Sequence, residues 1–247
     1  MADPDGHSGH SDTPRPLAEL AARQHGVVTT GQLVWLGFSP KVITRLVRDG
    51  HLIRLSRGVY AVGHDRLTAR GRWMAAVLAC GEGAVLSHAA ALSLWDLIPV
   101  PGGAIDVSAP RHWRRRIEGV RCHGLRHLHP DDCTVIDGIP VTSLPRTLLD
   151  RAQTLHRQRL RTLLEQTQRR GLFNLVSFTA LLERSRGHHG AANLIAVLAE
   201  LQDEAPWTQS ELERQFLEFL RGHGLPEPQI NVIVDGVCVD CTGPSMI

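Results

Sequence analysis

Lysine is almost missing from this chain: Lys41 is the only one among 27 Lys and Arg residues. A reaction that needs a lysine anywhere else, such as orienting the attacking water of a metal-dependent nuclease, has no candidate for the part. Long apolar runs are missing as well, since none approaches the roughly 18 to 20 residues needed to span a bilayer. The opening residues, MADPDGHSGHSDTPRP, are polar and slightly acidic and do not resemble a signal peptide. The expectation is a cytoplasmic protein with no membrane partner. Cysteine is limited to five scattered residues, an odd number that argues for reduced thiols and against a disulfide framework. A glycine-rich phosphate loop is also lacking: Gly81-Glu82-Gly83 has no third glycine and no following lysine, so it reads as a turn. Spacing supports no Ser/His/Asp or Cys/His arrangement, because such partners meet in space and not in sequence.

Net charge is only +2 over 247 residues, so no overall basic field exists. The charge is unevenly spread, however: from Arg15 to Gly63 seven Lys or Arg face two acids. That local excess points to a nucleic-acid surface. Within it lies SPKVITRLVRDGHLIRLSRGVYAVG, Ser39 to Gly63. Ser39 is placed to cap a helix, and Pro40 suits the first helical position, where its missing N–H would have had no partner. Val42, Ile43, Leu46 and Val47 form an apolar stripe; Lys41, Thr44, Arg45 and Arg48 fall at i, i+3, i+4 and i+7 on the other face. Gly50 supplies a left-handed stop. LIRL and VYAV then read as strands joined by Ser56, Arg57 and Gly58.

Upstream, residues 1 to about 15 read as a disordered tail. Leu17, Leu20 and Ala21 predict a first helix, and a Thr29 to Gln32 capping box predicts a second, carrying Leu33, Val34 and Leu36. Helix, helix, recognition helix and hairpin in this order describe a winged helix-turn-helix over 16–66. Lys41, Thr44, Arg45 and Arg48 are expected to enter a major groove, with Thr44 and Arg45 on base edges. Arg54 and Arg57 are expected to grip phosphate or an adjacent minor groove.

Residues 67–205 read as a central α+β module. Two helices, GRWMAAVLAC and SHAAALSLWDL, precede four β-prone pieces, AIDVSAP, GVRCHGL, CTVIDG and IPVTSL, and further helices follow. The basic run Arg111 to Arg116 reads as a solvated loop or an extension of a DNA surface. Cys122, His123, His127, His129 and Cys133 match no common zinc spacing, and the CxxC of Cys238 and Cys241 lacks a second pair, so no metal site is assigned.

The run from VVTTGQLVWLG through Arg54, Arg57, Gly58 and Tyr60 to LSHAAALSL resembles the abortive-infection AbiEi antitoxin family of type IV toxin–antitoxin systems. The resemblance implies a DNA-binding antitoxin that represses its own promoter and opposes a nucleotidyltransferase-like toxin without needing to touch it. The partners implied are the double-stranded operator DNA and, indirectly, a cognate toxin. Near the C-terminus, TQSELERQFLEFLRGHGLPEPQINVIVDGVCVD resembles the start of a domain similar to very-short-patch-repair endonucleases, of the PD-(D/E)XK fold. This resemblance puts Glu213 at the helix carboxylate position and Asp240 at the metal-binding aspartate. Such a site needs a further carboxylate to hold Mg²⁺ and usually a lysine. Only CTGPSMI follows Asp240, so residues 206–247 are expected to be a truncated, inactive endonuclease-like segment. The overall expectation is an α+β chain acting as a repressor without cofactor. A PD-(D/E)XK endonuclease using Mg²⁺ is the alternative.

Overall fold

The computed structural model describes residues 14–110, 116–125, 128–204, 229–234 and 237–242. The chain is a mixed α+β protein and divides into two compact units, Met1–Leu194 and Ile195–Ile247.

In the first unit, α1 (Arg15–Arg23) leads into a short strand β1 (Val27–Thr29), then α2 (Thr30–Trp35), α3 (Pro40–Arg48) and the hairpin β2 (Leu52–Ser56) and β3 (Val59–Val62). The predicted caps form. Thr29 Oγ1 accepts from Gln32 N at 3.2 Å while Gln32 Oε1 accepts from Thr29 N at 2.9 Å, which satisfies two helix-end donors reciprocally. Ser39 Oγ accepts from Val42 N at 3.4 Å, with Pro40 at the first helical position. Strand β1 was absent from the sequence reading, since three residues are too few to show a period. It pairs antiparallel with β3, giving a sheet of order β1-β3-β2.

Alternation along these strands puts two adjacent residues into different cores. Val28 and Tyr60 pack with Leu17, Leu33 and Ile43 of the three helices. Val27 and Val59 turn the other way and join Trp73, Val77 and Val107. The small sheet is therefore covered on both faces, and one of them belongs to the core of the next module.

That module starts with α4 (Ala69–Cys80), capped by Thr68 Oγ1 accepting from Gly71 N, and α5 (His88–Leu94). Between them lies β4 (Val85–Leu86), also unforeseen: two buried residues that read as a linker in isolation. The four anticipated β pieces appear as β5 (Ile105–Pro110), β6 (Val120–Leu125), β7 (Cys133–Ile136) and β8 (Ile139–Thr142). Together with β4 they form a five-stranded mixed sheet of order β6-β5-β4-β8-β7, in which β4 and β8, and β5 and β6, run parallel. Helices α6 (Leu144–Ala152), α7 (Arg157–Arg169) and α8 (Leu175–Arg184) follow, then α9 (Ala191–Glu204).

A charged cluster ties this module together. Asp132 is 2% exposed and sits in a 3₁₀ turn, Pro130–Asp132. Its carboxylate accepts from Arg146 Nη1 at 3.0 Å and from Arg184 Nη2 and Nε at 2.7 and 3.1 Å. Arg146 Nε also donates to Asp150 Oδ1 at 2.9 Å. Each buried charge here meets an opposite one through directed hydrogen bonds, the condition under which such burial is tolerated.

In the second unit, β9 (Gln229–Val234) and β10 (Val237–Thr242) pair antiparallel, with Val234 opposite Val237 and Ile230 opposite Cys241. This is the hairpin anticipated around Ile230, Val232 and Val234, and its second strand runs two residues past Asp240.

Candidate nucleic-acid interface

Helix α3 separates its two faces as the periodicity predicts. Ile43 is buried and Val42, Leu46 and Val47 are half-buried, whereas Lys41, Thr44, Arg45 and Arg48 are exposed. The four polar side chains are not equally free. Thr44 Oγ1 donates to Pro40 O at 2.9 Å, so its proton is used within the helix, leaving the hydroxyl oxygen as acceptor and the methyl as an apolar contact. Arg48 Nε donates to Asp49 Oδ1 at 2.9 Å; that hydrogen bond raises the pKa of Arg48 and lowers that of Asp49. Lys41 and Arg45 have no ion-pair partner among the described residues. They are the uncommitted cations of the helix.

The hairpin adds two more. Arg54 lies opposite Tyr60 across the β2–β3 ladder, and its guanidinium carbon is 5.3 Å from the ring centroid of that buried tyrosine. This cation–π contact fixes the direction of the side chain while leaving it exposed. Arg57 is exposed at the turn, next to Gly58, whose φ of +81° is one that side-chain-bearing residues rarely adopt. The turn is held in place because Thr30 N, at the start of α2, donates to Gly58 O at 2.9 Å. The hairpin tip and the helix pair are thereby one hydrogen-bonded frame.

Residues 15–63 match the family model described as "Transcriptional regulator, AbiEi antitoxin". The AbiEi match begins with α1 and ends one residue past β3, so it takes in every exposed cation just described. It supports a regulator of the toxin–antitoxin kind. No curated protein matches the chain.

One feature of the AbiEi-like segment escaped the sequence reading. Trp35 is 83% exposed and Val34 is 52% exposed at the end of α2. Of the three apolar residues expected on this helix, Leu33 is buried and Leu36 packs half-buried against the same core, whereas Val34 faces outward. In a helix of six residues the stripe is too short to separate a packing position from its neighbour.

The remaining candidates lie elsewhere. Glu213 and the run Arg111 to Arg115 fall outside the described residues, and Asp240 lies on β10. His127 falls outside the described residues, and the other Cys/His residues of the central module have other occupations. His123 Nε2 bonds Asp106 Oδ1 at 2.9 Å, and its ring stacks on His88 at 3.8 Å. His129 Nδ1 accepts from Asp131 N. Burial pushes the Cys80 thiol up to about 12, with Cys122 beside it contributing, and burial likewise raises the Cys133 thiol. These thiols are protonated at neutral pH and are poor nucleophiles. Among the described residues no group of three or more His, Cys, Asp or Glu is arranged to hold a metal ion, and no helix is long and apolar enough to cross a membrane.

Proposed function

We propose that the protein is a DNA-binding transcriptional regulator of the AbiEi antitoxin kind, built on a winged helix-turn-helix over residues 16–66. Helix α3 is the recognition helix. Lys41, Thr44, Arg45 and Arg48 face the major groove; Arg45 reads a base edge, and Thr44 offers its methyl and acceptor oxygen there. The β2–β3 hairpin is the wing, with Arg54 and Arg57 on phosphate or the neighbouring minor groove. The target is the operator of its own promoter, and opposition to a cognate toxin follows from the family resemblance without direct contact.

The observation that carries the reading is the set of exposed cations on one face of the capped helix α3, joined by exposed cations on the adjoining hairpin, whose tip is pinned to α2 through Thr30 N and Gly58 O. An ordinary solvated helix has no use for a second, hydrogen-bonded cationic element beside it. A mobility-shift assay on the promoter at two salt concentrations tests it. Arg57→Ala should weaken binding to all sequences and reduce the salt slope by about 1, whereas Arg45→Ala should relax specificity at one base position. If both variants bind like the parent, the reading fails.

A further inference from the structure

Alternation along β5 and β6 gives the central sheet one polar face. On β5, Val107 and Ala109 enter the apolar core, so Asp106 and Ser108 point the other way. The parallel register then sets Arg121 beside Asp106 and His123 beside Ser108 on β6, the strand that ends the sheet order. Helix α5 packs on β5 and α6 packs on α5. The His88 ring at the start of α5 stacks on His123, and Arg151 in the last turn of α6 lies close enough to feel the charges of Asp106 and Arg121 and to act on His88.

Arg151 is the anomaly of this face. It is half-buried, its Nε is enclosed with no hydrogen-bond partner, and none of its side-chain nitrogens enters a hydrogen bond or ion pair among the described residues. Burial lowers its pKa, as expected of a guanidinium that has lost water without gaining a counter-charge. The carboxylates around it are committed elsewhere. Asp106 Oδ1 accepts from His123 Nε2 at 2.9 Å and from Arg121 Nη1 at 3.3 Å, and Asp150 pairs with Arg146 and His188.

We propose that Arg151 and Arg121 bind the phosphate of a small phosphate monoester at this polar face, beside the stacked imidazoles of His88 and His123. Two guanidinium forks approach from different elements, α6 and β6, which suits a tetrahedral group with three free oxygens; a planar carboxylate presents a single edge. A monoester carries about two negative charges at neutral pH, so it offsets both guanidiniums although Asp106 is already there. Its phosphate is also terminal. A half-buried arginine is reached by a group with one substituent, whereas the phosphodiester of DNA is flanked on both sides. This site does not depend on the winged helix-turn-helix reading.

The test is isothermal titration of the full chain in phosphate-free buffer with phenyl phosphate, diphenyl phosphate and benzoate. Phenyl phosphate should bind about tenfold or more tightly than either of the others, the factor expected of one charged hydrogen-bonded contact. Inorganic phosphate should compete with it, which shows that the anion and not the ring is held. Arg151→Gln and Arg121→Gln should each weaken phenyl phosphate by about tenfold or more, on the same ground. Arg66→Gln, which removes an exposed arginine from the loop before α4, should bind as the parent does. In the parent, phenyl phosphate should move the imidazole proton resonances of His88 and His123 and leave those of His25 and His64 in place, a readout that needs no variant to fold. Absent binding of phenyl phosphate, equal binding of diphenyl phosphate or benzoate, unmoved His88 and His123 resonances, or an equal loss in Arg66→Gln overturns the proposal. So does a loss of non-specific duplex DNA affinity in Arg151→Gln without any monoester binding, which would make this face a further stretch of DNA contact.

Discussion

Arginine does opposite work in two parts of this protein. In the segment from α1 to β3, Arg45 and Arg57 are exposed and have no ion-pair partner among the described residues. In the module built on the five-stranded sheet, Arg146 is 7% exposed and bonded to both Asp132 and Asp150, and Arg184 closes on the same Asp132. The cost of desolvation explains the division. A guanidinium withdrawn from water must be neutralised by fixed partners, and once neutralised it offers nothing to a phosphate. A guanidinium left in water contributes little to the fold and remains available to a polyanion. Arginine content alone therefore says nothing about DNA binding; the partner list does.

The harshest way to probe the contrast is to remove the carboxylate that neutralises two arginines at once. Asp132→Ala leaves Arg146 without one of its two acids and Arg184 without its shortest bond, and breaking a buried pair of this kind costs about 3 to 5 kcal/mol. Urea unfolding should show that loss, while the DNA affinity of the fraction that remains folded stays at the parental value. The reverse experiment is Arg45→Ala. Its unfolding free energy should match the parent, because the side chain is exposed and unpaired, and its operator affinity should fall by about 1 to 3 kcal/mol. A stability loss in Arg45→Ala or an unchanged one in Asp132→Ala would erase the distinction between the two regions.

Acid sharpens the same comparison. Burial pushes the His88 imidazole down to about 4 from its ordinary 6.5, against the pull of nearby Asp150, and its Nδ1 lies 3.0 Å from Ser87 Oγ. The unfolded chain therefore binds a proton at His88 below about pH 6.5 that the folded chain refuses until about pH 4. Stability is full above that window and is lost as pH falls through it. Asp106 and Asp150 act in the same direction. Burial alone would raise both carboxyls, but the His123 bond to Asp106 and the His188 and Arg146 contacts to Asp150 hold them below the ordinary carboxylate value, so their stabilisation is lost as they protonate. A pH series of urea midpoints should fall between 6.5 and 4, and His88→Gln should flatten that slope. An unaltered slope in the variant would remove His88 as its source.

How much of this was legible beforehand follows from where the information sits in the chain. Helix α3 was readable almost atom by atom, because its cap, its proline, its apolar stripe and its glycine stop are all local signals. The β9–β10 hairpin was readable for the same reason, from alternation over Ile230, Val232 and Val234. Strands β1 and β4 were not, since three and two residues cannot display a period and owe their conformation to the strands they pair with. The Asp132 cluster was hidden more deeply. Its members are separated by 14 and 52 residues, and nothing in the spacing of Arg146 and Arg184 distinguishes them from the free arginines of the basic face. The candidate interface was legible as a set of positions, but not the internal commitment of Thr44 to Pro40 O.

The Arg48–Asp49 pair is the mildest test, and it falls on the border between the two kinds of arginine. Asp49 is the neighbour of Arg48 in sequence and both are exposed, so the pair lies in high dielectric and is easily exchanged for water. Asp49→Asn should leave thermal unfolding where it is. It also removes a negative charge at the end of the proposed recognition helix and frees the Arg48 guanidinium for a phosphate, so operator binding should tighten at low salt. The gain should fade as added salt shortens the screening length. If the substitution instead weakens binding, Asp49 is holding Arg48 in its working orientation, and an ion pair in this segment would be organising the interface in the way Asp132 organises the buried module.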